Sequence, residues 1–189
     1  MATYRGYRTV PHGSYDEWRA ATISNQYDVD YYPLRQPFQC WDYCALLYFQ
    51  YGRVLQTRPG GNGTAADCWN FSRTYNSQPP FTSIEGVSNI KRGDILVWNS
   101  NEYSSTGHIA FADEDYRGTN LLNCLGQNQG TNGQGQIVVK VTELSLTNFL
   151  GIFRNTEWKS SPVPPPPGVS NKNNFPWVLV AGRKRYYKK

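Results

Sequence analysis

The sequence predicts an α+β domain in which N-terminal helices pack on an antiparallel β-sheet. Apolar residues recur at helical spacing over residues 41–51, whereas from residue 93 onward short apolar runs alternate with turn residues. Helical periodicity followed by strand periodicity is typical of an α+β domain. An aromatic content of 15% in 189 residues supplies the apolar surface for one real core and argues against a disordered chain.

Two N-terminal helices are predicted from a cap and from apolar periodicity. Residues 14–22 begin with Ser14, and a glutamate three residues later completes a capping box. Over residues 41–51 the apolar side chains recur at i, i+3, i+4, i+7 and i+8, which predicts one buried face and a stop at Gly52. A further helix is expected over residues 65–75, before a proline pair.

Short apolar runs separated by turn residues predict antiparallel strands in the second half of the domain. The runs cover residues 95–98, 107–112, 121–125 and 136–141. Alternation along the second run places His108 on the same face as Ala110 and Ala112. The acidic stretch that begins at Asp113 is expected to form the turn after this strand.

The chain is expected to divide into one domain over residues 1–160 and a proline-rich linker with a basic tail over residues 161–189. The net charge of +5 comes from the tail, which holds six cations and no acids, so the domain itself is close to neutral. This distribution argues against a nucleic-acid binder, whose basic charge lies on the fold. The sequence also has no apolar run long enough for membrane insertion and no apolar h-region of a signal peptide.

One cysteine and one histidine stand out as candidates for nucleophilic chemistry. The four cysteines and two histidines match no zinc motif, but a thiol nucleophile with an imidazole base needs only one of each. Cys40 lies at the predicted start of a helix, where backbone N–H groups lower a thiol pKa and can hold an oxyanion. His108 follows Gly107 on a predicted strand, and a glycine permits close approach. A cysteine on a helix N-terminus that faces a histidine on a sheet is the papain-like arrangement.

Four short segments, spread over roughly residues 14–158, resemble a known family in their combination and order. They are Phe38-Gln39-Cys40-Trp41-Asp42, residues 92–98, residues 107–112 and Leu125-Gly126-Gln127-Asn128. Together they resemble a CHAP domain, the cysteine, histidine-dependent amidohydrolase/peptidase module of phage endolysins and bacterial cell-wall hydrolases. The resemblance implies a papain-like (NlpC/P60-like) α+β fold.

The resemblance also implies roles for individual residues. Cys40 would be the nucleophile and His108 the base. The third polar residue of the family lies on the next strand, in a segment like Leu-Glu-Gln-Asn, and Gly126 stands at the glutamate position here. Strand alternation turns Gln127 to the opposite face, so we expect Asn128 to accept a hydrogen bond from the ring of His108.

Three further side chains are expected to contact the substrate. They are Trp41, Trp98 and Gln127. For the two tryptophans the alternative is a packing role, because aromatic side chains lie more often in the core than in a groove. For Gln127 the alternative is that it orients His108 in place of Asn128.

A calcium site is suggested by acidic residues before and after the candidate nucleophile. Asp28, Asp30 and Tyr32 have the Asp-x-Asp-x-Tyr spacing of some calcium-binding CHAP endolysins, and Asp42 occupies the position that completes the shell there. Alternate residues of one loop can supply the oxygens that Ca²⁺ requires. The alternative is an ordinary acidic loop, with Asp42 favoured by the helix dipole. Catalysis itself is expected to need no cofactor.

The function predicted from these residues is that of a phage-type endolysin that cleaves an amide bond of peptidoglycan and lyses Gram-positive cells. We expect a monomer that is made in the host cytoplasm, released by a holin-type lesion, and attracted to anionic wall polymers by its basic tail. One alternative is a virion-associated or tail protein that binds cell wall with weak or no catalysis. Another is a host cytoplasmic cysteine amidase that acts on small γ-glutamyl or polyamine amides.

Overall fold

The computed structural model describes residues 9–29, 39–58, 63–100, 106–129 and 138–159, and helices precede strands within them. Helices α1 to α4 are Tyr15–Thr22, Cys40–Gln50, Asp67–Asn70 and Arg73–Asn76. Strands β1 to β6 are Phe81–Ile84, Ile95–Trp98, His108–Ala112, Leu121–Gly126, Lys140–Ser145 and Phe149–Asn155, with a short 3₁₀ helix, Val87–Asn89, after β1. None of the helices in these ranges combines the length and apolar character that crossing a bilayer requires. The predicted linker and tail over residues 161–189 lie outside the described residues.

The strands form one antiparallel sheet in the order β1-β6-β2-β3-β4-β5. The register between β2 and β3 pairs Trp98 with His108, and the register between β3 and β4 pairs Phe111 with Leu125. Three consecutive strands, β2, β3 and β4, therefore lie side by side as the third to fifth strands of the sheet. The first residue of β3 and the last residues of β4 lie toward the same end of it.

Both faces of the sheet are buried. Alternate residues of β2, Ile95 and Val97, pack on the face covered by α1 and α2, whereas Leu96 and Trp98 belong to a second cluster on the opposite face. The same alternation in β3 places Ile109 on the face that packs against the helices. Alternation with period two, combined with burial on both faces, explains the continuous apolar runs of β2 and β3.

The helices follow the prediction in part. In α1 the Ser14 hydroxyl oxygen accepts the Glu17 backbone N–H at 3.2 Å, as the capping box predicts. Helix α2 differs from the prediction of a single apolar face, because all seven residues from Asp42 to Tyr48 are buried. The helix expected over residues 65–75 is broken into α3 and α4 at Ser72, whose hydroxyl donates to the Thr57 carbonyl.

The strands extend beyond the prediction at both edges of the sheet. Strands β1 and β6 were not expected from the sequence, and they pair with each other from Phe81↔Asn155 to Ile84↔Ile152. The strand expected over residues 136–141 is β5, which begins at Lys140 and continues to Ser145. The prediction of an α+β domain with helices on an antiparallel sheet is confirmed.

Candidate active site

Cys40 is the first residue of α2, as the sequence predicts, and its side chain is half-buried. The helix begins here because of a local cap. The Asp42 carboxylate accepts the backbone N–H of Gln39 at 2.7 Å, which satisfies a donor that the helix itself leaves without a partner. The side chain of Asp42 is 1% exposed, so this cap is shielded from water. The cap places Cys40 at the positive end of the helix.

The protonation of Cys40 differs from the sequence prediction. Burial raises the pKa of the thiol to about 11, and the nearby Asp42 carboxylate acts in the same direction. The backbone N–H groups of Ile109, Trp41 and Cys40 lower the pKa, as expected at a helix N-terminus, but their effect is smaller than that of desolvation. The expected low pKa is therefore wrong for the resting site, and Cys40 is a neutral thiol at pH 7.

His108 is the first residue of β3. The next residue, Ile109, provides the backbone N–H group that lowers the pKa of Cys40. The residue before it, Gly107, has φ +73°, and a Cβ there would collide with the Trp98 carbonyl oxygen and with Ala66. Only glycine fits this approach. Burial lowers the pKa of His108 to about 4, so the imidazole is neutral at pH 7.

Two of the three predicted substrate contacts are structural instead. Trp98 is 1% exposed and its indole N–H donates to the Ser145 carbonyl, so it supports the His108 ring, 5.7 Å away between centroids, from within the core. Gln127 is fully buried. Its Oε1 accepts the Tyr27 N–H at 2.8 Å and its Nε2 donates to the Tyr27 carbonyl at 2.7 Å. Trp41, by contrast, is half-buried and retains exposed surface.

Asn128 lies near the site but does not make the expected hydrogen bond with its amide group. Its Nδ2 donates to the Gln39 side-chain oxygen at 2.9 Å. The expectation assumed that strand alternation continues to Asn128, whereas β4 ends at Gly126 and Asn128 has φ +53°. A left-handed residue turns the chain, so face alternation no longer holds there.

The side chain that faces the ring of His108 is Gln129, which the sequence analysis did not single out. Its Oε1 lies 3.5 Å from His108 Nε2. Gln129 is one of three consecutive amides, and composition cannot tell which amide faces the ring. The signal that distinguishes it is the glycine at position 126, whose missing side chain leaves the space that Gln129 enters.

The residues proposed for calcium are assembled only in part within the described residues. Asp28 is half-buried, and Asp30 and Tyr32 lie outside the described ranges. One oxygen of Asp42 accepts the Val29 N–H at 3.1 Å and the other accepts the N–H of the helix cap. Over the described part of the chain, no three His, Cys, Asp or Glu side chains cluster as metal ligands would. The described donors do not make a calcium site by themselves.

Comparisons with known proteins identify the family and the fold of this chain. The family model of the CHAP domain matches residues 26–128. The crystal structure of a wild-type endolysin, LysIME-EF1, is similar to this chain with a TM-score of 0.53 and 20% identity, over 78% of this chain and 66% of that one. The crystal structure of Ly7917 matches with a TM-score of 0.49 and 13% identity, over 72% of this chain and 59% of that one. The matches thus span less than two thirds of those proteins, and no curated protein matches the chain.

Proposed function

The chain belongs to the CHAP domain family, and from this membership we propose that it hydrolyses an amide bond of bacterial peptidoglycan with Cys40 as nucleophile and His108 as base. The observation that carries the proposal is the position of Cys40. Cys40 is the first residue of α2. Backbone N–H groups of that helix and of Ile109, the residue after His108, lower the pKa of its thiol. Acyl transfer requires a nucleophile, donors for the oxyanion and a base, and Cys40, the backbone N–H groups and His108 would supply them.

Acylation would start from a neutral thiol and a neutral imidazole. As the Cys40 sulfur attacks the amide carbonyl carbon, its proton passes to a ring nitrogen of His108, and the carbonyl oxygen becomes an oxyanion. The N–H groups at the start of α2 would stabilise that oxyanion. The imidazolium then gives its proton to the leaving nitrogen, the C–N bond breaks, and a thioester on Cys40 remains.

Deacylation would use the same two residues. His108 accepts a proton from water as the water oxygen attacks the thioester carbon. When the tetrahedral intermediate collapses, the C–S bond breaks, the sulfur takes back the proton, and a free carboxylic acid leaves. The sum of both halves is the addition of one water molecule across an amide bond, with no redox change.

The proposed substrate is the peptidoglycan of Gram-positive cells, and the proposed biological role is that of a phage-type endolysin. Half-buried Trp41, next to the nucleophile, retains exposed surface for substrate contact. The basic tail would add electrostatic attraction to anionic wall polymers. The bond cleaved would be either the N-acetylmuramoyl-L-alanine amide or a peptide bond of the stem or cross-bridge.

The substitution Cys40→Ser tests the proposed chemistry. It should abolish clearing of Gram-positive cell walls in a zymogram, because a serine hydroxyl beside a neutral imidazole is a far poorer nucleophile than the thiol. The melting temperature should stay close to that of the wild type. The matched control is Cys44→Ser, one helical turn away and fully buried, which should lower stability but retain clearing. Clearing by the Cys40→Ser variant would remove this residue from the mechanism.

Mass spectrometry of digested muropeptides would identify the bond. Cleavage by an amidase produces a free muramoyl carboxyl group, whereas cleavage by an endopeptidase produces new peptide ends. A virion-associated wall-binding protein without catalysis would instead sediment with the walls and release no new ends.

A further inference from the structure

The side chain of Gln129 is held in one orientation by two strands of the sheet. It is 2% exposed, and its Nε2 donates to the carbonyl of Cys124 in β4 at 3.2 Å and to that of Lys140 in β5 at 3.0 Å. Carbonyl oxygens only accept hydrogen bonds, so the amide nitrogen must be the atom on that side. The amide oxygen is thereby directed to His108 Nε2, at 3.5 Å.

The glycine at position 126 makes room for this side chain. A Cβ at Gly126 would lie 2.8 Å from Cδ and 2.9 Å from Oε1 of Gln129, and 3.0 Å from the Cβ of Ala110. A side chain at position 126 and the observed Gln129 therefore compete for the same space beside the ring. In this chain the polar group beside His108 comes from position 129 and not from position 126.

We propose that Gln129 is the positioning residue of His108, in place of an acidic side chain at position 126. This inference rests on the proposed function for the role of His108, but not for the geometry. An amide oxygen can only accept, so Nε2 of His108 carries the ring proton and Nδ1 carries the lone pair that takes the proton of Cys40. The hydrogen bond shortens when the ring becomes an imidazolium, since donors that carry charge bind more tightly.

A neutral amide and a carboxylate would have different consequences for the imidazole. Both fix the tautomer and the ring angle. A carboxylate would also favour the imidazolium by Coulomb attraction, whereas Gln129 leaves the buried ring neutral. His108 thus begins the reaction as a neutral base. The rate of hydrolysis should fall only at low pH, where the ring of His108 becomes protonated.

The tautomer of His108 can be observed directly in ¹⁵N-labelled protein by long-range imidazole N–H correlation spectra. The chain has two histidines, so the variant His12→Asn assigns the signals. In the wild type we expect a proton on Nε2 and a bare Nδ1. The opposite tautomer in the wild type would overturn the inference, whether or not the protein hydrolyses cell walls.

The variant Gln129→Met removes the polar atoms and nearly keeps the side-chain volume. We expect a mixture of tautomers and a kcat that falls by roughly 10- to 100-fold, with KM little changed. The control is Gln127→Met, which removes another buried amide and lowers stability but should keep the Nε2–H tautomer of His108. An unchanged tautomer and an unchanged pH profile in Gln129→Met would contradict a positioning role.

Moving the polar side chain from position 129 to position 126 tests whether Gln129 orients His108 or only fills space beside it. The double variant Gln129→Ala/Gly126→Glu should restore the Nε2–H tautomer and shift the acidic limb of the pH–rate profile upward, because a carboxylate raises the pKa of His108. Gly126→Glu alone should be destabilised by the clash with Gln129. Hydrolysis by the wild type with no such recovery would leave the proposed function intact and contradict the inference.

Discussion

At the residue scale, burial decides the protonation of both groups that we propose to react. The pKa of Cys40 is raised to about 11 and the pKa of His108 is lowered to about 4, in each case chiefly by desolvation. Each shift favours the uncharged form. The resting pair is therefore thiol and imidazole rather than thiolate and imidazolium, and proton transfer belongs to the attack on substrate.

The rate of alkylation of Cys40 should report this raised pKa. The thiolate is the reactive form, so the rate with iodoacetamide should be low at pH 7 and should continue to rise above pH 9, toward a limit near pH 11. Peptide mass spectrometry separates Cys40 from the other three cysteines, which are buried. A rate that levels off below pH 8 would show a preformed ion pair instead.

Removal of calcium tests the role proposed for the acidic residues. A chelator should lower the melting temperature, because a metal that binds only the folded form stabilises it by mass action. The double variant Asp28→Ala/Asp30→Ala should have the same melting temperature with and without calcium. The control is Glu143→Ala, at an exposed acid of β5, which should keep the calcium response. Equal melting curves of the wild type in calcium and in chelator would end this hypothesis.

At the scale of elements, buried polar side chains join the start of α2 to the end of β4. Gln127, after β4, holds the backbone of Tyr27, and Asp42 in α2 holds the backbone of Val29. Gln127 Nε2 also donates to the carbonyl of Gln39, the residue before the nucleophile, at 3.2 Å. The contacts of Gln127 connect residues 88 and 100 positions apart, so the site depends on both halves of the domain being folded.

A second polar link joins β6 to the turn before β2. Both side-chain oxygens of Asp94, which is 2% exposed, accept from Arg154 at 2.7 and 2.8 Å. Arg154→Leu should reduce the free energy of unfolding by about 3 kcal/mol, because it leaves a buried carboxylate without its cation. Urea denaturation measures this loss.

The matched control for that change is an ion pair at the surface. Arg73 and Glu85 form a pair in which the side chains are 45% and 72% exposed. Arg73→Leu should change the free energy of unfolding by less than about 1 kcal/mol, since water screens such pairs. Equal losses in the two variants would mean that burial of Asp94 does not set the strength of the link.

At the scale of the whole molecule, the net positive charge of the chain comes from residues that follow the proposed catalytic residues in the sequence. The six cations after Ser161 account for the positive net charge of +5. Replacing these six with glutamine should weaken binding to anionic cell walls at low salt, and the difference from the wild type should shrink at high salt, because ions screen the attraction. Sedimentation with purified walls measures this binding. The same loss at every salt concentration would contradict an electrostatic role.

Much of the fold could be predicted from local patterns. The capping box at Ser14 marks the start of α1, and the apolar periodicity marks α2. Short apolar runs between turn residues identify β2, β3 and β4. Strands β1 and β6 escaped prediction because their alternation is weak and their pairing joins segments about 70 residues apart. Local sequence holds little information on such a distant partner.

The candidate nucleophile and base, Cys40 and His108, could be named from the sequence because a helix start, a glycine and short motifs are local features. The side chain beside the ring and the charge of the pair were decided by the tertiary structure. Because Asn128 has a left-handed backbone conformation, Gln129 rather than Asn128 faces the ring of His108. The packing of α2 on β3 removes both reactive groups from water. Turns and caps depend on residues that are neighbours in the sequence. The burial of a side chain depends on atoms from distant segments, which come together only in the folded chain.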